Sequence, residues 1–519
     1  MTAILATSPA MTRFSASAVT RVIKQLTCST KAGTRRRWLE AVAARTTTLR
    51  PDLADGLLRI LGCTPAATDV LEGLTIGEVG VCYEALMATM DAGSRKSAGQ
   101  YFTPDDAARF MAQRAVDFPE GMWLDPCCGV GNLAWHLTSV QQDKAAFVRD
   151  HLTLIDQDET ALRTAVVMIG AEYLGYGDLD GLAMLENRAH RRDFLAQRRL
   201  PEHDFVIVNP PYARAPERPG MLTGRTRDLF AFFMEKIAFI SKGFISVTPA
   251  SYLAAPKFQV LRDVIETETR GGDVFVFDNV PDTLFRGYKF GSANTSKTNF
   301  VRAAITVCRP DADGWNITPI IRWRSASRER MLAGCPHLLA PRQIGPDGEW
   351  AKLVPGMTGV WQRLEAVDRT LDDLVVPGQT PYSLTVATTP RYYISAAYRQ
   401  LDRGSKAVLH FATEHDRDLA AIVLNSSLPY VWWRALDGGV TLPRRVLRSL
   451  PIPDIDVPAE LVERLQLDEE LSLVTKLNAG KINENVKRPA DLIADLNALV
   501  LPDAPDLSLL YSEDMFPAQ

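Results

Sequence analysis

Short apolar runs that stop on a polar residue recur through the middle of this chain. Trp123-Leu124 stops on Asp125, Leu152 to Ile155 on Asp156, and Phe205-Val206-Ile207-Val208 on Asn209. Runs of that length without alternation predict strands buried on both faces of a parallel sheet. Further strands are expected to end near Val247 and Phe277, and residues 301–307 predict a last, antiparallel strand. Helical patterns lie between them, over residues 105–116 and 133–140 among others. The predicted fold is therefore α/β over residues 96–310. Ahead of it, residues 1–95 read as a mostly helical domain, with amphipathic stretches at 38–49 and 76–90. Behind it, residues 311–455 read as a mixed α+β domain. Residues 456–519 read as an acidic helical segment, clearest over 459–477, with a Pro- and Asp-rich end of disordered composition.

The polar residues at the strand ends carry the candidate chemistry. After Asp125 come Pro126-Cys127-Cys128-Gly129-Val130-Gly131, a tight turn in which Gly129 and Gly131 let a ligand approach the backbone. A Gly-x-Gly turn alone is weak evidence, because dinucleotide-binding folds use similar turns. Here the acid precedes the glycines. A carboxylate there repels a pyrophosphate and holds an ammonium, which favours S-adenosylmethionine over NAD or ATP as cofactor. Asp156 is placed to accept from ribose hydroxyls. Asp193 is placed to pair with an adenine amino group while Phe194 flanks the ring. Each of these, taken alone, is also what a solvated Asp at a strand end looks like; the series at strand–helix intervals is the evidence. Asn209-Pro210-Pro211-Tyr212 combines an amide, a stiff turn lacking two backbone donors, and a flat ring. That set suits hydrogen bonding to an exocyclic amino group while Tyr212 stacks on the ring that bears it. The reaction it suits is methylation of a planar amide or aromatic amine.

Upstream, Thr103-Pro104-Asp105 is a helix start, with Pro and an acid in the first turn. The segments 100–104, 124–133, 155–156, 193–194 and 209–212, in this order, resemble the gamma-class N6-adenine DNA methyltransferases, and look most like type II modification enzymes of asymmetric sites. The likeness runs over roughly residues 75–310, with Cys127-Cys128 where the family usually has small residues and Asn132 at a variable position. It implies a Rossmann-like S-adenosylmethionine-dependent methyltransferase domain. It further implies cofactor contacts from Tyr101, Thr103, Pro104, Asp125, Gly129, Gly131, Asp156, Asp193 and Phe194. Asn209 and the Pro210 carbonyl would bind the adenine amino group, and Tyr212 would stack on a base flipped out of duplex DNA. Phe285 is the candidate for a second stacking ring, with Tyr288 and Phe290 nearby. The region 311–455 would be the target-recognition domain, and a restriction endonuclease would be a separate partner.

Composition fits these expectations. The chain has 519 residues, 46% of them hydrophobic, enough for about three domains and a large core. Seven cysteines without regular spacing predict free thiols and a reducing, cytoplasmic setting, with no zinc ligand set and no metal. No stretch reads as a membrane span, and no signal-peptide core stands at the N-terminus. A net charge of −4 first argues against a nucleic-acid binder. Its distribution changes the picture: residues 1–50 hold nine Lys or Arg against the single acid Glu40, while residues 451–519 hold fourteen acids against five bases. Arg35-Arg36-Arg37 reads as a solvated face, or more sharply as a phosphate contact. The Pro-, Gly- and Arg-rich stretch 213–227 predicts a mobile loop over the DNA-facing mouth. Around Arg322-Trp323-Arg324, Arg391-Tyr392-Tyr393, Tyr398-Arg399 and Tyr430 to Arg434, rings interleave with cations, as base and backbone contacts require; Trp432 and Trp433 themselves read as core. Stretches 424–428 and 450–453 resemble target-recognition regions. Two other readings stay open: a protein glutamine N5-methyltransferase, which generally lacks so large a C-terminal region, and a catalytically silent DNA-specificity subunit, which would not need Asp125, Asp156 and Asn209.

Overall fold

The computed structural model describes residues 13–90, 103–285, 289–290, 293–294, 301–390, 392–478 and 480–518. A nine-stranded sheet forms its centre. Strands β1 (Trp123–Asp125), β2 (Leu152–Asp156), β3 (Ala189–Arg191), β4 (Phe205–Val208) and β5 (Gly243–Pro249) run parallel in the order β3-β2-β1-β4-β5. Two short strands, β7 (Lys289–Phe290) and β8 (Ala293–Asn294), form a separate ladder and follow β6 (Gly271–Phe277) in the chain. The strand β9 (Ala303–Cys308) then inserts between β5 and β6, antiparallel to both. This is the antiparallel strand expected over 301–307, but it is not the last. Beyond β6 the sheet gains β10 (Gly314–Ile321), parallel to β6, and β11 (Ala340–Pro341).

Strand alternation divides the sheet between two cores, because successive side chains point to opposite faces. Phe205, Ile207, Ile245, Val247, Phe275, Phe277, Ile305 and Val307 face one side. Val206, Val208, Phe244, Val274, Val276 and Ala304 face the other. On the first side lie α5 (Asp105–Arg114), α6 (Asn132–Ser139) and α8 (Glu159–Tyr173). On the second lie α10 (Leu229–Ile240) and α11 (Gln259–Glu268).

The N-terminal helices α1 (Arg13–Leu26), α2 (Lys31–Leu49), α3 (Ala54–Leu61) and α4 (Ile76–Met90) join the first core, so hydrophobic packing runs continuously across position 95. Trp38 Nε1 donates to Thr164 Oγ1 on α8 at 3.0 Å. The Arg50 guanidinium caps the far end of that helix, donating to the Ala171, Leu174 and Gly175 carbonyls. The basic triplet is engaged within the fold: Arg35 pairs with Asp158, Arg36 with Glu40, and Arg37 donates to the Thr27 carbonyl.

A second core begins near Ala351, around the antiparallel strands β14 (Ser383–Ala387), β15 (Ala396–Ala397) and β16 (Lys406–His410) and the helices Glu414–Asn425, Leu428–Leu436, Ala459–Leu471 and Ala490–Val500. Here three expectations are corrected. The helix starting at Ala459 ends at Leu471, and residues 473–486 form a hairpin of Leu473–Asn478 with Lys481–Val486. Gly480, with a left-handed φ of +77°, lies in the turn of that hairpin. The Pro- and Asp-rich end is docked: Met515 N donates to Arg322 O at 3.0 Å, Arg324 pairs with Glu513, and Phe516 packs on the first core. Arg322, Trp323 and Arg434 are buried to within 4% of full burial and face protein, so their ring–cation pattern is core chemistry and not a nucleic-acid contact. Asn425 and Ser427 are likewise buried, as the joint between two helices. Arg391 lies outside the described residues.

The two cores meet at an ionic cluster. The Asp278 carboxylate, just past β6, accepts from Arg302, Arg322 and Arg434 at 2.8, 3.1 and 3.0 Å. Arg322 also donates to the Tyr430 hydroxyl, and Arg434 to the Ile320 carbonyl. Burial pushes the Asp278 carboxyl up, but the guanidiniums, Arg434 foremost, outweigh it and hold it at about 2.

Candidate active site

Asp125, Asp156 and Asn209 stand at the carboxyl ends of adjacent parallel strands β1, β2 and β4, where open α/β sheets bind their ligands. Between them the glycine loop folds into a cradle. Cys128 N donates to the Ile155 carbonyl at 3.0 Å, and Gly129 N donates to Asp156 Oδ2 at 2.8 Å. Gly129 and Gly131 both adopt left-handed φ, +54° and +94°. A Cβ on Gly131 would stand 2.9 Å from the Ala165 Cβ, so only glycine lets the loop settle on α8. Over Gly129, by contrast, a Cβ would meet nothing within 4 Å among the described residues.

Asp125 is 1% exposed. Its Oδ1 accepts from Cys127 N at 3.3 Å, and its Oδ2 has no hydrogen-bond partner among the described residues. Burial, with no cation among the described residues to offset it and Asp156 adding to it, raises its carboxyl to about 8. Asp156 is raised for the same first reason, while its oxygens accept from the Gly129 and Asp158 amides. A buried carboxylate oxygen facing an open backbone cradle fits a cationic ligand such as an ammonium. Among the described residues no group of three or more His, Cys, Asp or Glu is arranged to hold a metal ion.

The Thr103 segment closes the cradle from above. Asn209 Nδ2 donates to Thr103 Oγ1 at 3.0 Å, and Asn132 Nδ2 donates to the Thr103 carbonyl at 2.6 Å. The Cys127 thiol donates to the Asn209 carbonyl at 3.2 Å. Thr103, the glycine loop and the Asn-Pro-Pro-Tyr turn are thus joined directly. Pro104 sits at the N-cap of α5, one residue ahead of the first turn, and its carbonyl accepts from Ala108 N. Asn132, which the sequence reading left as a variable position, is 4% exposed and is one of these ties. Its only sequence signal is an amide at the first position of a helix whose buried residues also include the polar His136 and Thr138.

Tyr212 is held by its hydroxyl, which donates to the Val247 carbonyl at 2.7 Å. Its ring stands edge-to-face with Phe285 at 5.9 Å and with Phe230 at 6.4 Å. Phe285 is 2% exposed in this arrangement. The two rings named as stacking partners are therefore neighbours, in contact with each other. The stretch after the turn is tied down more firmly than a mobile loop. The buried Glu235 carboxylate accepts from Leu222 N, Thr223 N and Thr223 Oγ1 at 2.9, 2.6 and 2.6 Å. Arg218 donates to the Leu195 carbonyl.

Asp193 and Phe194 are placed differently from the rest. Asp193 is exposed and caps the turn Phe194–Ala196 through Leu195 N. Phe194 is buried in the second-face core, 5.0 Å from Phe233, with Lys236 Nζ 4.6 Å over its ring. Tyr101 and Tyr288 lie outside the described residues, and of Phe290 only the strand is described.

Comparison with known proteins adds an independent line. Over 149 residues, 27% of this chain, it is 28% identical to the type II methyltransferase M.VspI of Vibrio sp. (strain 343), and the match spans a third of that relative's length. Among solved structures, the DrdV–DNA complex is similar over 65% of this chain and 43% of that one, at 12% identity and a TM-score of 0.43. A type I restriction-modification methyltransferase subunit from Streptococcus thermophilus is similar over 47% and 52%, at 16% identity and a TM-score of 0.33. The family model that matches this chain is N-6 DNA Methylase, over residues 75–223, the stretch that carries Thr103, Asp125, Gly129, Asp156 and Asn209.

Proposed function

We propose that this chain is a DNA methyltransferase of the restriction-modification kind, transferring a methyl group from S-adenosylmethionine to N6 of adenine. Within that class the order of Thr103, the glycine loop and Asn209 favours the gamma arrangement, and the resemblance favours type II modification enzymes. The observation that carries this reading is the Asn209 side chain, held by Thr103 at the strand edge beside the orphaned Asp125 oxygen. The residues present fit the cofactor. Asp125 would hold its ammonium, Asp156 its ribose, and the Gly129 backbone its close approach, with Thr103, Pro104 and Asp193 around it. When bound, the cofactor supplies an electrophilic methyl group.

The chain's own residues would do the rest by positioning. The Asn209 side-chain oxygen and the Pro210 carbonyl accept from the target amino group, directing its lone pair toward the methyl donor. Tyr212, fixed through Val247, offers a face to the ring, and Phe285, buried edge-on against Tyr212, would have to move aside to offer an opposing surface. A stacked adenine cannot reach this turn, so the substrate is a base flipped from duplex DNA at a cost of a few kcal/mol. Residues 311–455, which from Ala351 onward belong to the second core, are the proposed target-recognition domain, and a separate endonuclease is the proposed partner.

The test is mass spectrometry of nucleosides from unmethylated duplex DNA incubated with the protein and S-adenosylmethionine, beside an Asn209→Ala sample. N6-methyladenine that appears with the wild type and falls by about 100-fold or more in the variant is the expected result. Methyl transfer to protein glutamine with none to any DNA would replace this reading.

A further inference from the structure

Arg328 opens the short helix Arg328–Gly334, outside the stretch matched by the family model, and is 3% exposed. Its guanidinium makes four hydrogen bonds. Nε donates to Asp106 Oδ2 at 2.5 Å and Nη2 to Asp106 Oδ1 at 2.9 Å. Nη1 donates to the Thr283 carbonyl at 2.9 Å, and Nη2 also to the Leu284 carbonyl at 2.8 Å. Just before it, Ser325 Oγ donates to Asp282 Oδ2 at 2.8 Å. Residues 325–328 therefore grip 282–284 at three points, immediately ahead of Phe285.

The other end of the same guanidinium holds Asp106, in the first turn of α5 and three residues after Thr103. Thr103 ties to Asn209, and Phe285 stands edge-on to Tyr212. One donor-only, planar group thus spans from the Thr103–Asn209 side of the site to the Phe285–Tyr212 side. A guanidinium fork fixes the angle between its acceptors, which an ammonium does not.

We infer that Arg328 is a positioning residue that holds Phe285 edge-on against Tyr212, and with it the wall beside the Tyr212 face offered to the substrate base. Its role toward a base rests on the function proposed above; its hold on residues 282–285 does not. Arg328 touches neither base nor cofactor and acts through the loop it carries.

The test uses the full chain with Arg328→Lys, Arg328→Met and Phe285→Ala. Arg328→Lys keeps a cation opposite Asp106, so it reports even if the Met variant fails to fold. Hydrogen exchange of the 282–285 amides is expected to speed up about tenfold or more in Arg328→Lys, with α10 and the glycine loop unchanged. Unchanged protection there would overturn the inference whatever the enzyme does. On unmethylated duplex DNA carrying the site that sequencing of the wild-type product identifies, kcat/KM for DNA is expected to fall about tenfold while the cofactor Kd moves less than about twofold. Combining Arg328→Lys with Phe285→Ala is expected to cost no more than Phe285→Ala alone. Parallel losses of cofactor and DNA affinity, or full additivity, would mark a merely structural residue and reject the positioning role. If wild type methylates no DNA, the functional reading fails, and the exchange result still decides whether Arg328 holds the loop.

Discussion

Two aspartates, each almost fully buried at a sheet edge, sit in opposite states. Asp278 receives three guanidiniums and is held at about 2; Asp125 has one oxygen without a partner among the described residues and is raised to about 8. Burial disfavours the charge in both places, and the difference lies in what the fold supplies as counter-charge. At the seam between the cores the protein supplies its own cations, and the carboxylate cements structure. At the strand edge none of the described residues supplies one, and the carboxylate is left for something that arrives. Perturbed groups of the second kind mark functional sites, because a fold selected for stability alone would have paired or removed them.

The largest expected effect comes from breaking the satisfied member. Asp278→Ala leaves Arg302, Arg322 and Arg434 without their shared carboxylate. Stranding buried charge is expected to cost about 3–5 kcal/mol in urea unfolding. The sign with pH follows from the depressed carboxyl. Wild type has this stabilisation in full above pH ~4 and loses it as pH falls toward 2, and the variant lacks that acid limb. A stability within about 1 kcal/mol of wild type at pH 7 would show that the seam is not held by this cluster.

Asp125→Asn is expected to behave in the reverse way. Because the folded carboxyl is raised, wild type loses stability as pH climbs from about 4 toward 8, and the neutral amide removes that loss. The variant should therefore be at least as stable as wild type at pH 8, yet bind S-adenosylmethionine about 10–100-fold more weakly, the worth of one charged hydrogen bond. Calorimetric titration checks it. In wild type the affinity should rise with pH up to about 8, as the ionised carboxylate that receives the cation becomes populated, and this slope should flatten in the variant. Equal affinity at all pH values would remove Asp125 from the cofactor site.

The same contrast explains what the sequence disclosed. Asp125, Asp156 and Asn209 were legible because each ends an apolar run, so the strand, its carboxyl edge and the polar residue are read together. The seam was not. Arg322 and Arg434 stand among rings, a pattern shared by nucleic-acid surfaces and by buried ion clusters, and only Asp278, far away in sequence, tells the two apart. Arg328 was silent for the same reason, since its meaning depends on Asp106, 222 positions earlier. The hairpin at 473–486 was hidden by an acidic helical stretch running into it, and Glu235 by the apolar helix around it. Local periodicity predicts elements; pairings between distant charges need the fold.

Thr103→Val carries the smallest expected effect and sharpens the comparison most finely. The hydroxyl accepts from Asn209 Nδ2, while the Thr103 carbonyl is held separately by Asn132. Valine keeps the shape and the carbonyl tie but removes the acceptor, leaving the Asn209 amide free to turn its oxygen away from the target amino group. A neutral hydrogen bond is worth about 0.5–1.5 kcal/mol, so kcat is expected to fall about 3–10-fold in single-turnover methylation. Thr103→Ser keeps the acceptor and should recover most of that loss. The cofactor Kd should change little in either variant if the hydroxyl serves Asn209. Should valine instead weaken cofactor binding and leave the single-turnover rate intact, Thr103 belongs with Asp125 on the cofactor side, and Asn209 takes its orientation from the Cys127 and backbone contacts of its own turn.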